Sequence, residues 1–220
     1  MKRFWLGTAI LTALAGLLSA QTAPVEIVNR LENKMRSLDT FQADFSQVSS
    51  STSVSAPLKQ SGKLYFKKPG LMRWEYGPPE ASTYVYKEGL YLSYYPEDNQ
   101  LWKQTISAEE YETGILGILL GKARLAEKYT VEFSPFPGGE KGSAQVKLTP
   151  RDQEDTSYVL LEIDEKSGLL RRAVVFDWAG NKIEYGFSRI KTNPGLAKDL
   201  FEIKVPPDCE IIEDAGPRKK

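Results

Sequence analysis

The chain has 220 residues, with 29 basic and 29 acidic side chains, no histidine and one cysteine. This length suits one domain with a sizeable core, and the balanced charge gives no field for holding nucleic acid or an anionic membrane. Without histidine, and with one cysteine, the usual zinc ligands, Ser-His or Cys-His nucleophiles and an internal disulfide are excluded. We therefore expect no metal, no cofactor and no nucleic-acid partner.

The N-terminus is typical of a secretory signal. Lys2-Arg3 precedes an apolar run from Phe4 to Leu18, and Ser19-Ala20 supplies small residues for cleavage. The run is shorter than the ~20 apolar residues of a spanning helix, which disfavours the alternative of a retained anchor. We predict a signal peptide over 1–20 and a mature, exported, soluble domain over 21–220. Gln21, rather than a cysteine, follows the predicted cut, so no lipid-modification site is visible.

The cysteine Cys209 would then lie in an oxidising compartment. We expect it to be a small buried hydrophobe in the last strand. An intermolecular disulfide is the alternative.

An amphipathic helix is predicted over residues 24–38. Pro24 suits the first turn, and Glu26 is favourable near a helix N-terminus. Apolar residues follow at steps of three and four and form one stripe that is expected to lie on a sheet: Val25, Val28, Leu31, Met35 and Leu38. A strand comes next, in which Phe41, Ala43 and Phe45 alternate with polar residues.

The stretch from Gly62 to Pro79 predicts a β-hairpin around Lys68-Pro69-Gly70. Proline followed by glycine is typical of a type II turn, because the ring fixes φ and glycine accepts a positive φ. Apolar and charged residues alternate on both sides of this turn. The apolar, aromatic face carries Leu64, Phe66, Met72, Trp74 and Tyr76, and the other face carries Lys63, Lys67, Arg73 and Glu75.

Further short strands with turn residues between them indicate an antiparallel meander over 82–106. The predicted strands are Ser82 to Lys87, with Tyr84 and Tyr86 on one face, Leu90 to Tyr95, and Leu101 to Ile106.

The strand pattern ends after residue 106. Ser107 to Glu110 resembles a helix capping box, and the following apolar segment Ile115 to Leu120 is flanked by Gly114 and Gly121 and split by Gly117. These glycines weaken a helix and suit a hinged flap over a pocket.

A second set of strands follows a short turn at 124–129 and a loop at 135–142. The predicted strands are Ala144 to Leu148, Tyr158 to Asp164, Leu169 to Trp178 and Lys182 to Arg189. The last predicted elements are a helical turn from Ala197 to Phe201 and a strand from Glu202 to Val205. The fold class is therefore mainly β (α+β), one domain with a large antiparallel sheet and a few helices.

Catalysis is not expected. The candidate carboxylates for acid–base work lie in polar, loop-like surroundings typical of a solvated face: Glu109, Glu110, Asp152, Glu154 and Asp155. No phosphate-binding glycine loop or nucleophile motif accompanies them.

The aromatic sheet face needs a partner, either the chain's own helices in an ordinary core or a bound ligand. Tyrosine and tryptophan suit a cavity that is alternately empty and filled.

Several motifs, in their order along the chain, resemble those of a known protein family. The central one is Gly62-x-Leu64-x-Phe66-x-x-Pro69-Gly70-x-x-Arg73-Trp74-x-Tyr76. It is accompanied by Phe41-x-Ala43-x-Phe45-x-Gln47, Pro79, Gly89-Leu90-Tyr91-Leu92, Tyr94-x-Pro96, the apolar segment before Gly121, and Leu200-Phe201 leading to Pro206-Pro207. Together they resemble the LolA-like family of periplasmic carriers of outer-membrane lipoproteins.

The resemblance implies an open antiparallel half-barrel covered by helices, with a hydrophobic cavity for acyl chains. Such a carrier is expected to be a monomer that receives acylated lipoproteins from an inner-membrane lipoprotein-releasing transporter and passes them to an outer-membrane acceptor. The missing cysteine at the signal cut favours the soluble carrier over the lipid-anchored acceptor. A periplasmic regulator that senses lipoprotein or lipopolysaccharide with the same half-barrel is the alternative, and a carboxylate-based envelope hydrolase is a further one.

On this resemblance we assign candidate binding residues. The acyl-chain cavity wall is predicted at Leu64, Phe66, Met72, Trp74, Tyr84, Tyr86, Leu92 and Tyr94, and a movable lid at Ile115, Leu116, Leu119 and Leu120. Members of the family often have an arginine before the turn proline that hydrogen-bonds the lid helices. Lys68 occupies that position here, and because an ammonium lacks the planar fork of a guanidinium, a Lys68 latch should be looser or absent.

Overall fold

The computed structural model describes residues 23–87, 89–106, 114–136, 139–152 and 156–214. The predicted signal peptide and the capping box at Ser107 to Glu110 lie outside these residues. The described helices are α1 (Pro24–Ser37), α2 (Gly114–Leu119), α3 (Leu125–Lys128) and a 3-10 helix (Lys198–Phe201). The strands are β1 (Thr40–Ser50), β2 (Leu58–Lys67), β3 (Leu71–Tyr76), β4 (Ser82–Lys87), β5 (Leu90–Tyr95), β6 (Gln100–Thr105), β7 (Tyr129–Phe133), β8 (Ser143–Pro150), β9 (Thr156–Asp164), β10 (Leu170–Asp177), β11 (Lys182–Thr192) and β12 (Glu210–Asp214).

The strands form one open sheet in the order β12-β6-β5-β4-β3-β2-β1-β11-β10-β9-β8-β7. Neighbours are antiparallel, as predicted, except that β12 runs parallel to β6. The long strands β1 and β11 pair at the centre and join the two halves of this half-barrel. None of the helices in the described ranges combines the length and the apolar character needed to cross a bilayer.

Helix α1 begins at Pro24 and lies on one face of the sheet, as predicted. We call this side the concave face. The buried stripe of α1 consists of Ile27, Val28, Leu31 and Met35, while Val25 is 41 % exposed, contrary to prediction. The stripe is buried because it packs with the inward side chains of the strands into one apolar cluster.

A second, smaller apolar cluster lies on the outer face of the sheet. Leu71, Val85 and Phe201 are buried there, and Leu92 and Ile203 pack against them. The segment after the 3-10 helix crosses this face, and the carbonyl of Glu202 accepts a hydrogen bond from Arg73 Nη1 at 3.3 Å. The predicted last strand at 202–205 is therefore wrong: this segment covers the sheet instead of extending it, and the last strand is β12.

Three further local predictions need correction. Strand β7 was not predicted, although Tyr129, Val131 and Phe133 alternate with polar residues. In the β2–β3 connection Gly70 has the expected positive φ of 60°, but the Lys68–Pro69 peptide is cis rather than the trans bond of a type II turn. Cys209 is only partly buried and precedes β12 instead of lying within it.

Candidate functional site

The register of β2, β3 and β4 brings together most of the predicted wall residues. Leu64 lies opposite Trp74, and Phe66 lies opposite Met72. Trp74 and Met72 in turn lie opposite Tyr84 and Tyr86. All six side chains therefore share the concave face, as the alternation in the sequence predicted. Leu64, Phe66 and Met72 are almost completely buried, whereas Tyr84 keeps part of its surface exposed.

Leu92 and Tyr94 are on the wrong face for the predicted wall. Lys87 pairs with Leu90 across the β4–β5 turn, which places Tyr86 opposite Tyr91 and Val85 opposite Leu92. Tyr91 and Tyr95 therefore point inward, while Leu92 joins the outer cluster and Tyr94 lies on the same outer face. Counting the register from the two-residue turn that ends in Gly89 would have identified Tyr91.

The inward rings form a continuous aromatic surface across β1, β3, β4, β5 and β11. Phe45 packs edge-on against Trp74 at 4.8 Å and against Tyr76 at 4.9 Å between ring centroids. Tyr84 contacts further rings on both sides, with centroid distances of 5.5 Å to Tyr76, 6.1 Å to Tyr91 and 6.1 Å to Tyr95. Tyr185 reaches the same surface from β11, with its ring 6.0 Å from that of Trp74.

The hydroxyl groups of these tyrosines give the surface a polar margin. Tyr76 donates to Gln47 Oε1 at 2.7 Å, and the hydroxyls of Tyr84 and Tyr95 lie 3.5 Å apart. Burial, followed by the neighbouring phenols, raises the pKa of Tyr76 and of Tyr91 above the ordinary tyrosine value. Burial and the hydrogen bond to Tyr84 raise the pKa of Tyr95 to about 12. These phenols are therefore protonated and uncharged at neutral pH.

The predicted lid segment packs on the apolar end of the same face. Leu119 and Leu120 are buried in the concave-face cluster, and Ile115 and Leu116 are partly buried against it. Ile118 is buried with them, although it was not among the predicted lid residues. The segment does form a helix despite its glycines, because the apolar contacts offset the low helix propensity of glycine.

The C-terminal end of the lid segment is held against α1. Gly121 has a φ of +67°, and a Cβ at this position would lie 2.8 Å from the backbone nitrogen of Arg36, so only glycine fits here. Glu32, a buried carboxylate on α1, accepts a hydrogen bond from the backbone N–H of Leu125 at 2.6 Å. Glu32 was not predicted to matter, since a single acidic residue within an amphipathic helix is expected on the solvent side.

Lys68 bonds to α1 and not, within the described residues, to α2. Its Nζ donates to the carbonyl oxygen of Arg36, and its backbone N–H donates to Asp39 at 2.9 Å. Because Gly121 packs against the same residue Arg36, the lysine holds the end of α1 on which the lid segment rests. A direct latch between Lys68 and the lid stays a prediction.

A separate cleft of about 940 Å³ involves the outer side of the sheet. Its lining includes Asp44, Lys63 and Arg172. The charges are largely paired, since Arg172 Nε donates to Glu184 at 2.7 Å and Arg189 contacts Asp44. A polar cleft of this kind does not suit fatty chains. In the described ranges we also find no group of three or more acidic or cysteine ligands arranged for a metal ion.

Comparisons with known proteins point to one family. A family model described as outer membrane lipoprotein carrier protein LolA matches residues 36–204. The outer-membrane lipoprotein carrier protein of Methylococcus capsulatus is 29 % identical over 89 % of this chain and 90 % of its own. That of Nitrosomonas europaea is 27 % identical over 90 % and 96 %. An uncharacterised conserved protein of Thermus thermophilus shares the fold, with a TM-score of 0.58 at 14 % identity over 86 % of this chain and 98 % of that one.

Proposed function

Since the chain belongs to the outer membrane lipoprotein carrier protein LolA family, we propose that it is a periplasmic chaperone that carries lipoproteins from the inner to the outer membrane. The acyl chains of the cargo bind to the aromatic part of the concave face. A transporter in the inner membrane supplies the cargo, and an acceptor at the outer membrane takes it. The chain works as a binding protein and not as an enzyme.

The observation that carries this proposal is the aromatic surface around Tyr84. It is continuous with the buried apolar cluster, yet Tyr76, Tyr84, Tyr91 and Tyr185 each remain partly exposed. Rings that are partly uncovered and border a buried apolar cluster give a fatty chain a surface on which to displace water.

The energetics show why a lipoprotein needs such a surface. Burying one methylene is worth about 0.8 kcal/mol, so a chain of ~16 carbons is held in a membrane by on the order of 10 kcal/mol. Spontaneous release into water is therefore negligible. A carrier must offer comparable apolar contact and still release the cargo, so part of the binding free energy has to be offset by moving its own apolar groups.

Helix α2 is suited to that exchange. Ile118 and Leu119 are buried in the concave-face cluster, while Ile115 and Leu116 stay partly exposed. We place these side chains on the acyl-binding surface when lipid is absent and expect them to swing away when it binds. The packing of Gly121 on α1 fixes the end about which the segment moves.

Extraction of a lipoprotein from vesicles tests the function. The mature protein is mixed with inner-membrane vesicles that hold a triacylated lipoprotein and an active lipoprotein-releasing transporter, and the vesicles are then sedimented. We expect a complex of carrier and lipoprotein in the supernatant, recovered by pulling down the carrier. Lipoprotein that stays wholly with the vesicles while the transporter is active, at any carrier concentration, would contradict the proposal; the same lipoprotein without acyl chains is the control and should not be pulled down with the carrier.

A cross-link tests the exchange of α2. In a Cys209→Ser background, Leu116→Cys and Tyr91→Cys are joined by a short cleavable reagent. Uptake of acyl chains should be lost in the joined protein and return on cleavage, because the helix can no longer leave the surface. Full uptake by the joined protein would rule out α2 as the lid.

A further inference from the structure

The concave face changes character along the paired strands. Phe66 and Met72 lie opposite each other within the buried apolar cluster. Two and four residues beyond Met72, the inward positions are taken by Tyr84 and Tyr76, and Tyr76 donates a hydrogen bond to Gln47. Tyrosine hydroxyls and one amide thus border the apolar wall.

Two more tyrosines adjoin this border: the ring of Tyr91 stacks on that of Tyr84 at 6.1 Å, and Tyr185 lies opposite Gln47. The hydroxyls of Tyr91 and Tyr185 have no hydrogen-bond partner among the residues that the structure describes. Neither hydroxyl is sealed from solvent. Among the described residues, Ser143 Oγ is the side-chain oxygen that is both buried and without a partner, so the unpartnered oxygens of Tyr91 and Tyr185 are not buried. The hydroxyl of Tyr76, by contrast, donates a hydrogen bond to Gln47 Oε1. The hydroxyls of Tyr91 and Tyr185 are therefore free to donate to a ligand.

The border carries no formal charge. The inward positions of β1 to β5 hold only neutral side chains. The lysines, arginines and acidic residues of these strands occupy the alternate positions, which lie on the outer face. Raised pKa values keep the phenols of Tyr91 and Tyr185 protonated. A phosphate head group would need a cation here. A neutral acceptor next to an apolar chain fits better.

We propose that the hydroxyls of Tyr91 and Tyr185, with the Tyr84–Tyr95 pair beside them, form a polar subsite for the carbonyl oxygens at the head of the acyl chains. This inference rests on the proposed function. The apolar wall takes the methylenes, and the hydroxyls bind the ester or amide groups by which the chains are attached. The subsite sets how deep the chains enter and leaves the polypeptide of the cargo outside.

Short-chain, water-soluble lipopeptides distinguish the two kinds of carbonyl. One probe carries two ester-linked chains, a second carries the same chains through ether bonds, and a third carries the same chains through amide bonds. Because a neutral hydrogen bond is worth about 1 kcal/mol, each bonded carbonyl should tighten the dissociation constant about fivefold relative to its carbonyl-free counterpart. Preference for the diester assigns the site to esters, and preference for the third probe alone assigns it to the amide.

Phenylalanine variants then test the residues. The double variant Tyr91→Phe with Tyr185→Phe keeps both rings, so it should bind the diether as the wild type does and lose the preference for carbonyl-bearing probes. The matched control, Tyr94→Phe with Tyr158→Phe, removes two hydroxyls from the outer face and should keep the preference.

The possible results separate this inference from the function itself. If the wild type binds diether and diester equally and gains nothing from the amide, the subsite is wrong while the carrier function stands. An unchanged preference in the double variant overturns the assignment to Tyr91 and Tyr185. If the wild type binds none of the three probes, both the subsite and the proposed function fail.

Discussion

The two halves of the concave face are built from different side chains. The half formed by β8, β9 and β10 is aliphatic, and its inward residues Val146, Leu148, Leu161, Ile163 and Ala173 are at most 1 % exposed. The half formed by β3, β4 and β5 is aromatic. Apart from the buried Tyr86, its inward tyrosines are partly exposed, and Tyr84 meets Tyr76 and Tyr95 edge-on.

On the proposed function, this difference separates the protein's own core from its lipid-binding surface. Helix α1 contacts β7 and β8 in the aliphatic half. The partly exposed rings of the aromatic half are the proposed acyl-binding surface, with α2 as its proposed lid. Substitutions in the aliphatic half should therefore reduce stability, whereas substitutions in the aromatic half should reduce lipid binding.

The largest effect is expected for Tyr84→Glu. A carboxylate in the path of the acyl chains would lose its hydration on binding, at a cost of several kcal/mol, so affinity for an acylated peptide should fall by about a hundredfold or more. The fold should persist because Tyr84 is partly exposed. Equilibrium binding and thermal unfolding measure the two effects.

Tyr94→Glu is the matched control, since Tyr94 lies on the outer face of the next strand. Equal loss of lipid binding in both variants would mean that the two faces have been misassigned.

Leu161→Ala in the aliphatic half should reduce stability without reducing lipid binding. Leu161 is fully buried, and removing a buried leucine side chain lowers the free energy of unfolding by about 2–5 kcal/mol. Denaturant titration measures this loss, and lipid affinity at a temperature where the variant is folded should stay within about twofold of wild type. Reduced lipid binding by the folded variant would place the acyl site in the wrong half.

Glu32→Ala should have an intermediate effect. The substitution leaves the N–H of Leu125 without its partner, which costs about 1–3 kcal/mol for a buried donor. Hydrogen exchange at Leu125 and in the segment before it should become faster than in the strands. Uniform acceleration across the chain would contradict a local role for Glu32 in anchoring the lid.

The smallest effect is expected for Asp164→Asn in the β9–β10 hairpin. Hydrogen bonds from the Ser167 backbone, Arg171 and the Ser167 hydroxyl lower the pKa of Asp164. Because the folded-state pKa is depressed, this stabilisation is present above about pH 4 and is lost as the pH falls through the folded pKa. The stability difference from wild type, about 1–2 kcal/mol at pH 7, should shrink toward pH 2. A difference that is independent of pH would contradict the ionised role.

Alternation within single strands predicted which side chains of the candidate site share a face. The pattern around Lys68-Pro69-Gly70 put Leu64, Phe66, Met72 and Trp74 on one face, and the register confirms it. Leu92 and Tyr94 were misplaced because alternation alone does not say which of two faces is inward. Only the length of the turn relates one strand to the next, and a slip of one residue inverts the assignment.

Features that depend on distant contacts were harder to predict. The segment 202–205 alternates charged and apolar residues as a strand does, but whether it pairs or crosses is decided by the cluster around Phe201. Similarly, Tyr185 and Glu32 belong to the site through residues far away in the chain, Trp74 and Leu125. A single sequence carries no local signal for such pairings.

Photo-crosslinking with an acylated peptide shows which half of the concave face holds the acyl chain. A diazirine near the end of the acyl chain is activated in the complex, and the labelled residues are mapped by mass spectrometry. We expect labels on the inward side chains of β3, β4 and β5, with β8 to β10 unlabelled. Labels confined to the aliphatic half or to the outer face would contradict the account.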